Sequence, residues 1–327
     1  MNELKDTFGR THTYLRISVT DRCNLRCLYC MPKDGIKWKK KDEILTFEEI
    51  TRLANIFVSM GINKIRITGG EPTLRNGIEN LIQDLSKLKG LKTLAMTTNG
   101  VLLKNQIFRL KESGLNSLNI SLDTLKADRF QKISLIDNFY NVLDGIYAAL
   151  EAGFHPLKLN VVVMGGINED EILEFIKFAK DKPINIRFIE YMPFKDNGWG
   201  QAKLYPYSKM LEQINRLYTL IPIQSETSSV AKDFYIKDFK GTVSFITSMT
   251  DSFCATCNRL RLTADGYMKS CLFYLPEMNL RNLLRSGISD EILKDVIRGV
   301  VLGKKKGHPE IDELEKHENT SMIQIGG

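Results

Sequence analysis

Short β-rich runs alternate with amphipathic stretches from residue 14 to about residue 217. The strand candidates are YLRISVT (14–20), KIRITG (64–69), TLAMTT (93–98), SLNISL (117–122), LKLNVVVM (157–164) and NIRFIEYM (185–192). Helical periodicity falls near residues 46–60, 76–89, 103–113, 138–152, 168–180 and 207–217. TFEE at 46–49 reads as a capping box, with Thr46 at the N-cap and Glu49 reaching back to it. Six strand–helix units of roughly 30 residues predict a parallel sheet with its helices outside.

Side chains at i and i+2 share a strand face. One face carries Leu15, Ile17 and Val19, then Ile65 and Ile67, then Leu118, Ile120 and Leu122. The other carries Arg16, Ser18 and Thr20; Arg66 and Thr68; Asn119, Ser121 and Asp123; Lys158 and Asn160; Glu190 and Met192. A sheet covered by helices on both sides would be apolar on both faces. A closed eight-stranded barrel fills its interior with side chains. The pattern therefore predicts an α/β fold, an incomplete (β/α)6 TIM-like barrel whose bore is hydrophilic. The alternative is an open α/β sheet with one polar edge.

Beyond residue 217 the repeat stops. FYIKDF (234–239) and TVSFITSM (242–249) predict antiparallel strands, and RLRLTADGYMKSCLF (259–273) a hairpin turning at Asp265-Gly266. A helix near 289–301 and a polar tail follow. With no flexible linker in view, residues 1–217 are expected to form the barrel and residues 218–327 a region packed onto it as a lid.

Composition narrows the class. The 327 residues are 43% hydrophobic and 26% charged, ordinary for a globular protein. No run of eighteen apolar residues appears, and MNELKDTFGRTH at the start lacks the apolar stretch of a secretory signal, so a cytoplasmic protein without a membrane span is expected. Lys plus Arg number 46 against 39 Asp plus Glu, a balance of +7 that suits phosphate-bearing ligands. The runs KWKKK (37–41) and GKKKG (303–307) are short and read as solvated surface, not as a nucleic-acid site.

The six cysteines fall in two groups, Cys23, Cys27 and Cys30, then Cys254, Cys257 and Cys271. Such closely spaced cysteines pair poorly with one another, and a cytosolic chain does not keep disulfides, so metal ligation leads. Thiolates bind zinc and iron–sulfur clusters alike. Zinc needs a fourth ligand in each group: His12 for the first, His308 or His317 for the second. A four-iron cluster held wholly by protein takes four cysteines. Two groups of three could hold two clusters, each with one open iron.

The spacing C-x3-C-x2-C with Tyr29 before its last cysteine resembles the radical S-adenosylmethionine superfamily. That resemblance implies a full or partial (β/α) barrel and a [4Fe-4S] cluster on Cys23, Cys27 and Cys30 whose open iron chelates S-adenosylmethionine. GGEP (69–72), TTNG (97–100), SLD (121–123) and EYMP (190–193) follow in the superfamily's order. They imply cofactor contacts from Tyr29, Gly70, Glu71, Ser121 and Met192, with Glu71 accepting from an ammonium group.

FCATCNRLRLTADGYMKSCLF (253–273), RITGGEPTLR, LNISLDTL, RFIEYMP and the terminal IGG resemble the GTP 3′,8-cyclase family of molybdenum cofactor biosynthesis. Thr73 departs from the aliphatic residue more usual there. This resemblance implies a second [4Fe-4S] cluster on Cys254, Cys257 and Cys271, carried by the C-terminal region that closes the barrel, with its open iron on guanine. It implies GTP contacts from Arg16, Arg66, Thr97, Lys158, Arg259, Leu260 and Arg261, and catalytic roles for Arg259, Arg261, Gly326 and Gly327. The implied reaction removes the ribose 3′ hydrogen of GTP through an adenosyl radical and joins C3′ to C8. The product is (8S)-3′,8-cyclo-7,8-dihydroguanosine 5′-triphosphate. A homodimer, an external electron donor and a following enzyme that forms cyclic pyranopterin monophosphate are implied partners; nucleic acid and membrane are not. Rival readings are a radical enzyme that modifies a peptide with an auxiliary cluster, a zinc-stabilised nucleic-acid-binding module, and a redox carrier.

Overall fold

The computed structural model describes residues 3–32, 34–224, 228–314 and 320–326. All six predicted strands form: β1 (Tyr14–Ser18), β2 (Lys64–Thr68), β3 (Thr93–Thr98), β4 (Ser117–Ser121), β5 (Leu157–Val163) and β6 (Ile184–Glu190). Each pairs in parallel with the next. The connecting helices are α1 (Phe47–Ser59), α2 (Ile78–Ser86), α3 (Ile107–Glu112), α4 (Ala127–Ser134), α5 (Phe139–Glu151), α6 (Ile172–Ala179) and α7 (Tyr207–Asn215). The Thr46 box starts α1: Glu49 N donates to Thr46 Oγ1 at 3.2 Å and Thr46 N to Glu49 Oε2 at 2.8 Å. Helix α4 escaped the pattern because it is short and polar, anchored by Phe130 and Ile133.

The C-terminal third enters the sheet itself. It supplies β7 (Ile221–Pro222), β8 (Lys232–Tyr235), β9 (Thr242–Ile246), β10 (Arg259–Leu262), β11 (Tyr267–Lys269) and β12 (Met278–Asn279). Strand β9 is antiparallel to β8, as expected, but lies parallel against β6. Strand β10 makes the expected hairpin with β11, yet its other edge runs parallel to β1. The sheet order is β12-β11-β10-β1-β2-β3-β4-β5-β6-β9-β8-β7, with β10 through β9 all parallel. The wall thus has the strand count of a closed barrel, but β9 and β10 share no ladder, and the cylinder stays open along that seam. The expected lid is part of the wall. Leu260 and Leu262 on β10 and Val243 and Phe245 on β9 have the same outward apolar rhythm as the six repeats, and all are buried.

Helices α8 (Leu280–Arg285), α9 (Asp290–Leu302), α10 (Ile311–Leu314) and α11 (Met322–Ile325) complete the chain. The core lies between strands and outer helices, with Leu15, Ile17, Ile65, Ile67, Leu159 and Phe188 fully buried. Each such side chain contributes roughly 1.5–3 kcal/mol of burial. A smaller cluster of Phe194, Met249, Phe273, Leu314 and Ile325 ties the segments after β6, β9 and β11 to the tail. The Phe194 and Phe273 rings stack there at 5.8 Å.

Candidate active site

The polar strand faces enclose a cavity of about 850 Å³ that runs the length of the bore. Register builds its charge. Arg261, Arg16 and Arg66 are direct neighbours on β10, β1 and β2, and two residues earlier the same strands align Arg259, Tyr14 and Lys64. Farther round, Asn119, Lys158 and Asn185 share one level, and Asn160 faces Arg187 on the next. All of these line the cavity, whose carboxylates among the described residues are Asp123 and Asp233. Arg66 is held rigidly: Nε donates to Tyr14 Oη at 2.5 Å, and Nη1 to Met96 O, Thr97 Oγ1 and Asn119 Oδ1 at 3.1, 3.1 and 2.9 Å.

Crowding and burial perturb five groups of this wall. Burial and the adjacent Arg261 push Arg16 well below its ordinary range. Burial with Arg187 and Arg66 brings Lys158 down to about 8. Arg187 falls to about 10 through burial and Arg66, and Arg261 to about 10 through burial and Arg259. Burial alone would raise Tyr14, but Arg66, Arg16 and Lys64 draw it down to about 7. Like charges about 5 Å apart repel by about 3 kcal/mol at the effective dielectric of a protein. Among the described residues, Arg187 Nε, Arg259 Nε and Arg261 Nη1 are buried without a hydrogen-bond partner. A ligand with several phosphate charges offsets the repulsion and supplies acceptors to such donors.

The first cysteine group lies at the C-terminal end of the bore, in the loop after β1, where Cys23, Cys27 and Cys30 all face the cavity. Two strand ends brace that loop. Gly70 N donates to Thr20 O and Glu71 N to Arg22 O, both at 2.7 Å. Asn99 Nδ2 donates to Asn24 Oδ1 at 2.7 Å and reaches Cys23 Sγ at 3.7 Å. Burial pushes the Cys23 thiol up to about 11 and raises Cys27 and Cys30, with neighbouring cysteines and Asp123 adding to the last two.

The second group sits at the opposite end. Cys254 and Cys257 precede β10, and the β10–β11 hairpin returns Cys271 beside them. Their small cavity shares Ser248, Phe253, Arg259, Arg261 and Leu272 with the main bore. Five strand residues at about 3.3 Å each put the two groups on the order of 15 Å apart, about the reach of a nucleoside triphosphate. All six thiols are free, and among the described residues no three His, Cys, Asp or Glu stand close enough to share one metal ion. Three cysteines in each group match the ligand set of a four-iron cluster in which every thiolate takes a different iron and one iron stays open. His12, expected near the first group, lies elsewhere: its buried ring meets Asp6 Oδ2 at 3.1 Å and feels Lys304. His308 lines the second group's cavity; its ring packs on Phe273, and Nδ1 lies 2.6 Å from Pro309 O. His317 lies outside the described residues.

Of the expected site residues, Arg16, Tyr29, Arg66, Gly70, Thr97, Ser121, Lys158, Met192, Arg259 and Arg261 converge on the bore. Three do not. Glu71 is wholly buried, and its carboxylate accepts from Thr73 N, Thr73 Oγ1, Thr98 Oγ1 and Asn99 N at 2.6–3.0 Å, so it ties strand ends together and has no face toward the cavity. Leu260 points into the core beside Leu15, because its neighbours on β10 take the inner face. Gly326 is tucked against Ser18 and Thr68 at the rim. Gly327 lies outside the described residues. Glu190, expected on the inner face, instead caps a loop: Met249 N and Tyr207 N donate to it at 2.8 and 2.9 Å. Sequence reasoning missed Tyr14, Lys64, Asn185 and Arg187. The alternation that named Arg66 holds for each, since Tyr14 is two before Arg16 and Lys64 two before Arg66.

Comparison with known proteins agrees. Residues 17–179 match the Radical SAM superfamily and residues 184–310 match Molybdenum Cofactor Synthesis C. A "GTP 3′,8-cyclase, mitochondrial" of Arabidopsis thaliana is 51% identical over 99% of this chain and 83% of its own length. The "GTP 3′,8-cyclase" of Alkaliphilus oremlandii is 42% identical over 99% of this chain and all of its own. "Molybdenum cofactor biosynthesis protein 1" of Mus musculus is 47% identical, and the chain spans only 51% of its length. Among solved structures, Streptococcus suis SuiB bound to S-adenosylmethionine superposes with a TM-score of 0.61 over 97% of this chain and 78% of its own, at 17% identity, a likeness of fold. The chain belongs to the GTP 3′,8-cyclase family of the radical S-adenosylmethionine superfamily.

Proposed function

We propose that this chain is a GTP 3′,8-cyclase, converting GTP to (8S)-3′,8-cyclo-7,8-dihydroguanosine 5′-triphosphate in the first step of molybdenum cofactor biosynthesis. The observation that carries the reading is one continuous cationic bore joining two three-cysteine groups at opposite ends. Cys23, Cys27 and Cys30 would hold one [4Fe-4S] cluster with S-adenosylmethionine, and Cys254, Cys257 and Cys271 the second. When bound, the first cluster and its cofactor supply one-electron, hydrogen-abstracting chemistry. Tyr29, Gly70, Ser121 and Met192 line the cofactor end. Arg66, Arg16, Lys64, Lys158 and Arg187 would hold the triphosphate midway, and Arg259 and Arg261 would orient the nucleoside toward the second cysteine group. Fixing phosphates and base at separate points aims the ribose at the first group. The apolar cluster around Phe194 and Phe273 closes the wall near the seam and keeps water from the reacting carbons. Gly326 and Gly327 would act at the rim, next to Thr68.

A homodimer, an external one-electron donor, a cytoplasmic setting and hand-over to the enzyme forming cyclic pyranopterin monophosphate belong to the same proposal. No helix among the described residues is long and apolar enough to cross a membrane. The division at residue 217 marks only where the strand–helix repeat ends, since β9 and β10 beyond it complete the barrel wall and both parts supply substrate contacts. The peptide-modifying alternative draws on a likeness of fold at 17% identity and gives the row of arginines nothing to bind.

The test is anaerobic turnover of iron- and sulfide-reconstituted protein with S-adenosylmethionine, a strong reductant, and GTP, ATP or no nucleotide. Deoxyadenosine formed only with GTP, with GTP consumed, is expected. Equal deoxyadenosine in all three, with GTP untouched, refutes the substrate.

A further inference from the structure

Two cations, Arg259 and Lys304, stand beside the second cysteine group. Lys304 is the unusual member. It is 4% exposed, donates from Nζ to Arg259 O at 2.9 Å and lies 3.6 Å from Cys257 Sγ. No carboxylate accepts from it among the described residues; its favourable charge partners are Cys257 and Cys271. A buried ammonium costs several kcal/mol unless it is paired. Here the residues that can pair it are thiolates.

The surroundings hold Lys304 in place. Arg10 Nη1 donates to Cys254 O and Lys306 O, both at 2.8 Å, and Nη2 to Lys305 O at 2.7 Å. Arg10 is fixed in turn by Asp6 at 2.6 Å. The segment carrying Lys304 is thus fastened to the backbone of the cysteine turn. Its ammonium is thereby held between Arg259 O and the sulfur of Cys257.

Resting on the reading that Cys254, Cys257 and Cys271 hold a cluster, we infer that Lys304 is a positioning residue that tunes this cluster, raising its reduction potential. Hydrogen bonds and positive charge at a ligand sulfur favour the reduced, more negative cluster. Each reduction takes one electron from the titrant and breaks no bond.

The experiment is a potentiometric titration followed by electron paramagnetic resonance. The first group is removed by Cys23→Ala, Cys27→Ala and Cys30→Ala, so that the signal belongs to the second. Lys304→Met, Lys304→Gln and Lys304→Arg are then compared in that background, with iron content measured for each. The expected result is a fall of about tenfold in the reduced-to-oxidised ratio at fixed potential for Met and Gln, about 59 mV for a one-electron couple, and recovery in Arg. An unchanged potential in an iron-loaded Met or Gln variant overturns the inference. Failure of both neutral variants to load iron makes Lys304 a structural residue and overturns it too. A parent with Lys304 intact that binds no cluster at the second group refutes the cluster reading itself, and the inference with it.

Discussion

Gly70→Ala tests how the first cysteine loop is held. A Cβ at residue 70 would lie 2.3 Å from Arg22 O, 2.6 Å from Arg22 C and 2.8 Å from Asp21 O. These are backbone atoms of the loop that presents Cys23, so no side chain can swing aside. Relief requires the loop and the end of β2 to separate, at the cost of the 2.7 Å bonds Gly70 N to Thr20 O and Glu71 N to Arg22 O. Two backbone hydrogen bonds are worth about 1 kcal/mol each, and the overpacking adds about 1–3 kcal/mol. A total of about 3–5 kcal/mol is large against a typical stability of 5–15 kcal/mol. In a chain of this size, with about 2.1 cal/mol/K of unfolding entropy per residue, it lowers the melting temperature of the iron-free protein by about 4–7 °C. Because the damage falls on the loop before Cys23, iron at the first group should drop sharply while the second group keeps its own. The assay is iron content with Cys254, Cys257 and Cys271 replaced by Ala, beside thermal unfolding of the same protein. A Gly70→Ala variant with full iron and an unmoved transition would refute the clamp.

Arg66→Met removes donors to Tyr14, Thr97 and Asn119 as well as a phosphate contact; charged hydrogen bonds of about 1.5–3 kcal/mol each predict at least a tenfold weaker GTP binding by calorimetry, and unchanged affinity would refute the cation row. Tyr14 at about 7 and Lys158 at about 8 are both below their unfolded values. These two groups therefore bind fewer protons in the folded, ligand-free protein than in the unfolded chain between about pH 7 and 10, and their contribution to stability rises with pH across that window. Tyr14→Phe should flatten the rise and abolish a tyrosinate absorbance change centred near pH 7; a titration that survives the substitution belongs to another residue. Gly326→Ala, at φ +91° with a Cβ 2.5 Å from that of Ser18, should dislodge the tail and cut kcat about tenfold or more with iron content intact at both groups. Wild-type turnover would leave the tail without a role.

Much of this site was written in the strands. Alternation alone placed Arg16, Arg66, Asn119 and Lys158 inside the bore, because period two is exact along a strand and the opposite face was apolar. The same rule applied to every strand residue would have found Tyr14, Lys64 and Arg187. The expectation miscounted at Glu190, which stands three residues after Arg187 and so shares the outward parity of Ile186 and Phe188, its carboxylate serving the amides of Met249 and Tyr207. Pairing across sequence was less legible. Nothing local says that Arg259 sits beside Tyr14 or that Thr242–Ile246 continues the wall from β6; those neighbours are chosen by which apolar edges remain to be covered. Glu71 shows the limit of motif reading, since Thr73, just past GGEP, supplies two of its donors, and Thr98 and Asn99 of TTNG supply the other two only once β2 and β3 are side by side.

The pairing of β10 with β1 also sets a schedule for synthesis. Cys30 leaves the ribosome 224 residues before Cys254, since 254 − 30 = 224. At about 5–20 residues per second that is an interval of roughly 11–45 s. During it the first thiols have no Arg259 or Arg261 across the bore, and no tail to cover them: Ile323 N, which donates to Cys30 O at 3.3 Å, is made later still. The nascent chain thus carries its first cysteine loop before β10 and the tail have covered it. Only when the last hundred residues arrive do the two ends of the polypeptide meet and the arginine row become continuous.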